Sequence, residues 1–262
     1  MSFPAQVEAT LLAGGPFTAP PGENAPRGKG LLQVGGLPMA ARALRALVAS
    51  PRIGRVILVS PVAEQELQDA EWEGVDAVVP AGDRLIDSFR VGLEQVTDRS
   101  QPAMVVAGDL PFLSAEAVTD YVERCEMREE FSVWYGYLRR EISERIYPGI
   151  PHTWGQLREG VFCGAGLFMS RPQALDTVYA ALTGLTLARK NPFRLASMLG
   201  WSPIFLYLVG QLSISRAENA MSRLLGVPCA GVETPYAETA FNVDDAYTLE
   251  HARRLAQDGG RA

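Results

Sequence analysis

An α/β fold, built on a mainly parallel sheet with helices on both faces, is what this 262-residue sequence predicts. Two observations carry that expectation. Short apolar bursts rich in Val, Leu and Ile alternate with helix-period segments through the first half. The bursts are short and bounded by turn residues, as buried strands are, and their alternation with helices implies a mainly parallel sheet covered on both sides.

The elements follow in order. The first strand, 7–13, empties into Gly14-Gly15 and a polar, proline-rich loop that reaches Lys29 before a helix over 38–49. Further strands are expected at 55–60, 76–80 and 103–108, with helices over 63–70, 84–95 and 115–126. Leu85, Ile86, Phe89 and Leu93 recur at helical spacing, which turns all four inward. In the second half, 131–138 and 161–169 read as strands, and 139–158 as a charged and aromatic excursion between them. The stretch 182–225 reads as mostly helical, interrupted at Pro192, Gly200 and Pro203. Ser215 and Glu218 have the spacing of a capping box for a helix ending near Leu225-Gly226. No repeat, low-complexity tract or long linker divides the chain. A single domain, 1–262, with a helical insertion at about 182–226 is the simplest organisation.

Composition narrows the function. A hydrophobic fraction of 47% and a charged fraction of 21% are those of a soluble globular protein. The net charge of −6 argues against nucleic acid as a partner, which calls for a basic surface. A small anionic ligand needs only a few local cations. Cys125, Cys163 and Cys229 are widely spaced, form no Cys-x-x-Cys pattern, and read as buried thiols in a reducing, cytoplasmic setting. No signal peptide is evident. The most apolar window, 198–212, falls short of the roughly 20 residues a spanning helix needs. No membrane span is expected, and a buried or homodimer-forming helix is the preferred reading of that window.

Candidate site residues cluster at strand ends. Gly14 and Gly15 let a ligand approach the backbone, and Lys29 adds a positive charge suited to phosphate. The loop is not a Walker A motif: Gly22 stands one position too far from Gly28-Lys29, and Gly30 replaces the metal-binding Ser or Thr. Turn glycines and a solvated lysine are the bland alternative. Asp109 closes the strand at 103–108 and suits a divalent cation beside nucleotide phosphates, although it could simply start a turn. Asp244, after Phe241-Asn242-Val243, suits the same metal or the N-cap of the last helix, and Asp245 shares either role. In parallel sheets ligands gather at the carboxyl ends of strands, which makes Gly14-Gly15 and Asp109 candidate neighbours.

Leu12-Ala13-Gly14-Gly15, Lys29 with Leu31-Leu32, Gly36-Leu37-Pro38-Met39, Gly108-Asp109-Leu110-Pro111 and Asn242-Val243-Asp244 resemble, in order, the motifs of the MobA-like NTP transferases. The resemblance implies a three-layer αβα, Rossmann-like fold of the nucleotide-diphospho-sugar transferase kind. It implies Mg²⁺-dependent transfer of a nucleoside monophosphate from a nucleoside triphosphate to a small phosphorylated acceptor, with release of pyrophosphate. By that similarity Leu12, Ala13, Gly14 and Gly15 line the nucleotide, Lys29 holds its phosphates, and Asp109 and Asp244 bind the metal. Lys29 and Asp109 are then the catalytic pair, and Arg27 stands in for the arginine of the usual glycine-rich signature. The loop 16–26 is longer and richer in proline than that signature. Cys163-Gly164-Ala165-Gly166 lies where related proteins carry a turn with an asparagine.

The remaining candidates are open to two readings each. Asp83 and Ser88 suit the base or ribose of the nucleotide, and capping explains Asp83 equally well. Arg139, Arg140 and Arg145 suit an anionic acceptor or a solvated face. Tyr147, Trp154 and Phe162 suit a stacked substrate ring, with core packing preferred. His152 and His251 lack metal-ligand spacing and read as surface or capping residues. Phosphoryl transfer asks chiefly for positioning and charge stabilisation, and an ionised phosphate needs no general base. The alternatives are a non-catalytic nucleotide-binding or regulatory protein on the same fold, and a glycosyltransferase using a nucleotide-sugar.

Overall fold

The computed structural model describes residues 3–18, 27–67, 70–188 and 197–259. Strand β1 (Val7–Leu12) lies inside the main sheet, parallel to β4 (Ile53–Ser60) on one side and to β6 (Ala103–Ala107) on the other. Beyond β4 runs β5 (Ala77–Pro80), again parallel. Beyond β6 comes the long β9 (Gly160–Ser170), antiparallel both to β6 and to β7 (Val133–Arg139). The edge strand β10 (Cys229–Glu233) is parallel to β7, and the short β8 (Gly155–Leu157) pairs with β9. The sheet is therefore mixed, with parallel pairs predominating around β1. A separate hairpin, β2 (Gln33–Val34) and β3 (Leu37–Pro38), turns through Gly35-Gly36, both at positive φ.

Two helical layers cover the sheet. On one face lie α1 (Met39–Ala49) and α3 (Ala115–Glu126); on the other lie α2 (Leu85–Leu93), α5 (Leu175–Ala188) and α7 (Ile214–Leu225). The alternation of β1 explains the division. Ala9 and Leu11 pack with Leu44 and Leu47 of α1 and Val118 of α3, whereas Leu12 packs with Phe89 and Leu93 of α2. Each fully buried Leu of this kind contributes about 1.5–3 kcal/mol. A further cluster joins Val34, Met39, Tyr147, Phe241 and Leu249, docking α8 (Ala246–Gln257) against the hairpin and α4 (Arg140–Ile146). The expected three-layer α/β architecture is present.

Several local expectations need correction. The segment 63–70 forms no α-helix: it holds short 3-10 turns at Glu64–Glu66 and Ala70–Trp72, with 68–69 outside the described residues. It has no continuous apolar stripe to bury: Leu67 packs against the core on the α1 side, as does Trp72 just beyond it. Leu85, at the first turn of α2, is 75% exposed, while Phe89 and Leu93 face the core. Ser213, not Ser215, caps α7, accepting from the Arg216 N–H, because Glu218 is drawn away to Arg128 and the Gly231 N–H. The excursion 139–158 holds α4 and β8. Pro192 lies outside the described residues.

The apolar window 198–212 contains α6 (Trp201–Leu208), which is not buried. Trp201 and Phe205 are each 64% exposed and Leu208 76%. No helix among the described residues is long and apolar enough to cross a membrane.

Candidate active site

The carboxyl ends of β1 and β6 deliver the candidate residues side by side. The Ala13 N–H donates to Val59 O at 2.9 Å, and the Gly108 N–H donates to Leu12 O at 2.9 Å, so both strands continue pairing as they leave the sheet. The segment after the loop folds back over this ledge: the Lys29 N–H donates to Gly15 O at 3.0 Å and the Gly30 N–H to Ala13 O at 3.1 Å. Gly30 and Gly108 make that contact feasible. A Cβ on Gly30 would stand 2.9 Å from Ala13 Cα and O, and one on Gly108 would stand 2.5 Å from Leu12 O.

The resulting centre is compact. Lys29 Nζ is ion-paired with Asp109 Oδ2 and lies 2.6 Å from Asp244 Oδ1. Asp109 is buried, and Asn242 Nδ2 donates to its Oδ1 at 3.0 Å. The Val243 N–H donates to Asp109 O at 3.1 Å, which straps the segment 242–244 onto the end of β6. Asp245 is the helix cap: its Oδ1 accepts from the Thr248 N–H at 2.8 Å, and Asp244 is left free to face the lysine. Burial works against the Lys29 charge, but Asp109 and Asp244 outweigh it and hold the ammonium above the usual lysine range.

The other candidates disperse. Leu12 and Ala13 are buried, Gly14 is half-buried and Gly15 is exposed at φ 100°. Asp83 is exposed on the loop after β5, whose Ala81 Cβ lies 3.3 Å from where a Cβ on Gly14 would be. Arg84, rather than Asp83, occupies the N-cap position of α2. Ser88 is buried, and its Oγ accepts from the Gly82 N–H at 3.0 Å, so it braces this loop. Arg27 is exposed and engaged by Glu66, Nη1 to Oε1 at 3.1 Å. Arg139 pairs with Glu233 at 2.6 Å and Arg140 with Glu144 at 2.6 Å. Tyr147 and Phe162 are buried, Tyr147 stacking on Phe112. Burial pushes the Cys163 thiol up to about 11 and Cys229 up to about 12, so neither is a ready nucleophile.

Two residues gain importance from the structure. Asn242 was part of a motif but not a candidate by itself; it orients Asp109. His152 is half-buried, bonded through Nε2 to Ser143 Oγ at 2.8 Å. Burial lowers its pKa, and the Asp244 charge opposes that change from nearby. Nothing in its sequence neighbourhood announces the influence of a charge so distant in the chain.

Among the described residues no group of three or more His, Cys, Asp or Glu is arranged to hold a metal. The two carboxylates do fit Mg²⁺, a hard cation that takes one or two carboxylates and completes its shell with substrate phosphates and water. The Lys29 ammonium already occupies a cationic position between them.

A family model described as the MobA-like NTP transferase domain matches residues 9–163. No curated protein matches. Among solved structures, a hypothetical transferase from Thermus thermophilus is 27% identical, with a TM-score of 0.78 over 93% of this chain and 99% of that one. A CMP:2-keto-3-deoxy-manno-octonic acid synthetase complexed with CTP is 15% identical, with a TM-score of 0.61 over 97% and 99%. The 4-diphosphocytidyl-2C-methyl-D-erythritol synthase from Anaerococcus prevotii is 14% identical, with a TM-score of 0.58 over 96% and 98%. At those two lower identities the likeness concerns the fold.

Proposed function

The chain belongs to the MobA-like NTP transferase domain family and is a nucleotidyltransferase, and from that premise we propose that it transfers a nucleoside monophosphate from an NTP to a small phosphorylated acceptor, releasing pyrophosphate. The observation that carries this reading is the convergence of Lys29, Asp109 and Asp244 where β1 and β6 end. The roles of the single residues, the magnesium ion and the single-domain organisation belong to the same proposal.

An acceptor phosphate oxygen attacks the α-phosphorus, the α–β bridging P–O bond breaks, and pyrophosphate leaves. Lys29 donates hydrogen bonds to the phosphate tail and offsets the charge that builds on the leaving group. Gly14 and Gly15 let the nucleotide lie close against the backbone beyond β1. Asp109, oriented by Asn242, and Asp244 would hold Mg²⁺, which when bound supplies charge neutralisation at the phosphates. The attacking phosphate is ionised at neutral pH, so no side chain has to remove a proton from it.

Pyrophosphate release, measured with each of the four NTPs, Mg²⁺ and a set of sugar phosphates or other phosphate monoesters, tests the reading. Acceptor-dependent release with at least one NTP is expected. Tight NTP binding without turnover across acceptors would replace it with a non-catalytic nucleotide-binding role.

A further inference from the structure

A groove of about 1120 Å³ opens on the side of the sheet covered by α2, α5 and α7. Its size exceeds the roughly 300–1,000 Å³ usual for small-ligand pockets. The walls are overwhelmingly apolar: Phe89 from α2, Val178 from α5, Met221 from α7, and Val105 and Phe168 from the sheet. The charged residues in its lining are both paired, Glu218 with Arg128 at 2.6 Å and Arg84 with Asp87 at 2.7 Å. Gly164 allows Tyr135 to lie along the floor, its hydroxyl 2.0 Å from where a Cβ on that glycine would be. Tyr135 and Tyr207 line the groove and remain exposed.

The groove reaches the ends of the two strands that carry the charged centre. Leu12 and Ala107, the last residues of β1 and β6, line it, and two residues further along each strand stand Gly14 and Asp109. Leu85 and, from α6, Tyr207 also line it, and Trp201, Phe205 and Leu208 of the same helix are exposed. A mostly apolar groove thus begins at the strand ends beside the anion-handling centre. A sugar phosphate offers several hydroxyls to walls that are mostly carbon, and burying each one left unpaired would be unfavourable.

We infer that the acceptor is an amphiphile: a phosphate monoester of one linear aliphatic chain, its head beside Lys29 and its tail along the groove. The inference rests on the nucleotidyl-transfer reading above. The terminal phosphate oxygen forms the new bond to the α-phosphorus and the α–β bridging bond breaks. A dianionic monoester and a tetraanionic NTP become a dianionic diphosphate diester and pyrophosphate.

Calorimetric titration of the full chain, without nucleotide or metal, with ethyl, hexyl and decyl phosphate below their micellar concentrations tests the inference. Each buried methylene is worth about a fourfold gain in affinity before the chain-ordering entropy is subtracted, so decyl phosphate should bind at least about 100-fold tighter than ethyl phosphate. Ala217→Trp, which fills the groove from α7, should weaken decyl phosphate at least about tenfold and leave NTP binding unchanged. Equal affinities across the wild-type series, or tighter binding of glucose 1-phosphate than of decyl phosphate, would overturn the inference whatever the variant does. A steep chain-length dependence without decyl-phosphate-stimulated pyrophosphate release would place the failure in the transfer reading instead.

Discussion

Lys29 Nζ lies 2.6 Å from Asp244 Oδ1, a contact between residues 215 positions apart, and the same ammonium is paired with Asp109. The amine therefore sits where two carboxylates facing each other demand a cation. Without it, two like charges would share a partly buried site with nothing to offset their repulsion.

Lys29→Ala should accordingly strengthen binding of free Mg²⁺ in the absence of nucleotide, by about tenfold, the equivalent of ~1.4 kcal/mol. The same variant should weaken triphosphate binding more than monophosphate binding. Calorimetry with MgCl₂ and with both nucleotides checks the pair of effects. Unchanged Mg²⁺ affinity would mean that the amine and the ion do not compete.

The two carboxylates should separate in their effect on stability. Asp109 is buried and accepts from Asn242, so Asp109→Asn should cost about 1–3 kcal/mol and reduce turnover at least about 100-fold. The Asp244 side chain is 71% exposed, and Asp244→Asn should stay within about 1 kcal/mol of wild type while losing turnover. Urea unfolding beside a pyrophosphate assay distinguishes the two; equal destabilisation would contradict the burial difference.

Gly30→Ala forces a Cβ against the Ala13 backbone, and Gly108→Ala forces one against Leu12 O. Neither obstacle is a flexible side chain. A loss of about 1–3 kcal/mol is expected for each, with a matching fall in melting temperature. A variant as stable as wild type would show that the ledge has room to move.

His152 adds an acid-sensitive term. Burial holds its folded pKa below 6.5, so between those two values the unfolded chain carries more protons than the native one. Its stabilising contribution is complete above about pH 6.5 and is lost as the pH falls through the folded value. The melting temperature of His152→Asn should therefore decline less steeply than that of wild type on acidification below pH 6.5. Parallel decline of the two curves would remove the histidine from the acid response.

Much of the frame was legible in the residues themselves. The bursts at 7–13, 55–60, 76–80 and 103–108 correspond to β1, β4, β5 and β6; the buried inner strands β1, β4 and β6 leave near-continuous apolar runs, and the half-buried edge strand β5 keeps a short one. Short or atypical elements were not legible. β10, Cys-Ala-Gly-Val-Glu, has little β-branched content and is held by its pairing with β7. Leu85 fits the inward stripe of α2, yet at the first turn it meets the rim of a groove instead of the core.

Sequence alone determined which residue types end the central strands: glycines after β1 and an aspartate after β6, both set by local pattern. The tertiary structure decided which of two adjacent aspartates caps α8 and which meets Lys29, since that choice depends on Val243 being strapped to Asp109 from across the chain. It also decided that an apolar groove adjoins the charged ledge. A groove is a property of the space left between elements, and spacing along one strand or helix carries no record of how far away its neighbour stands.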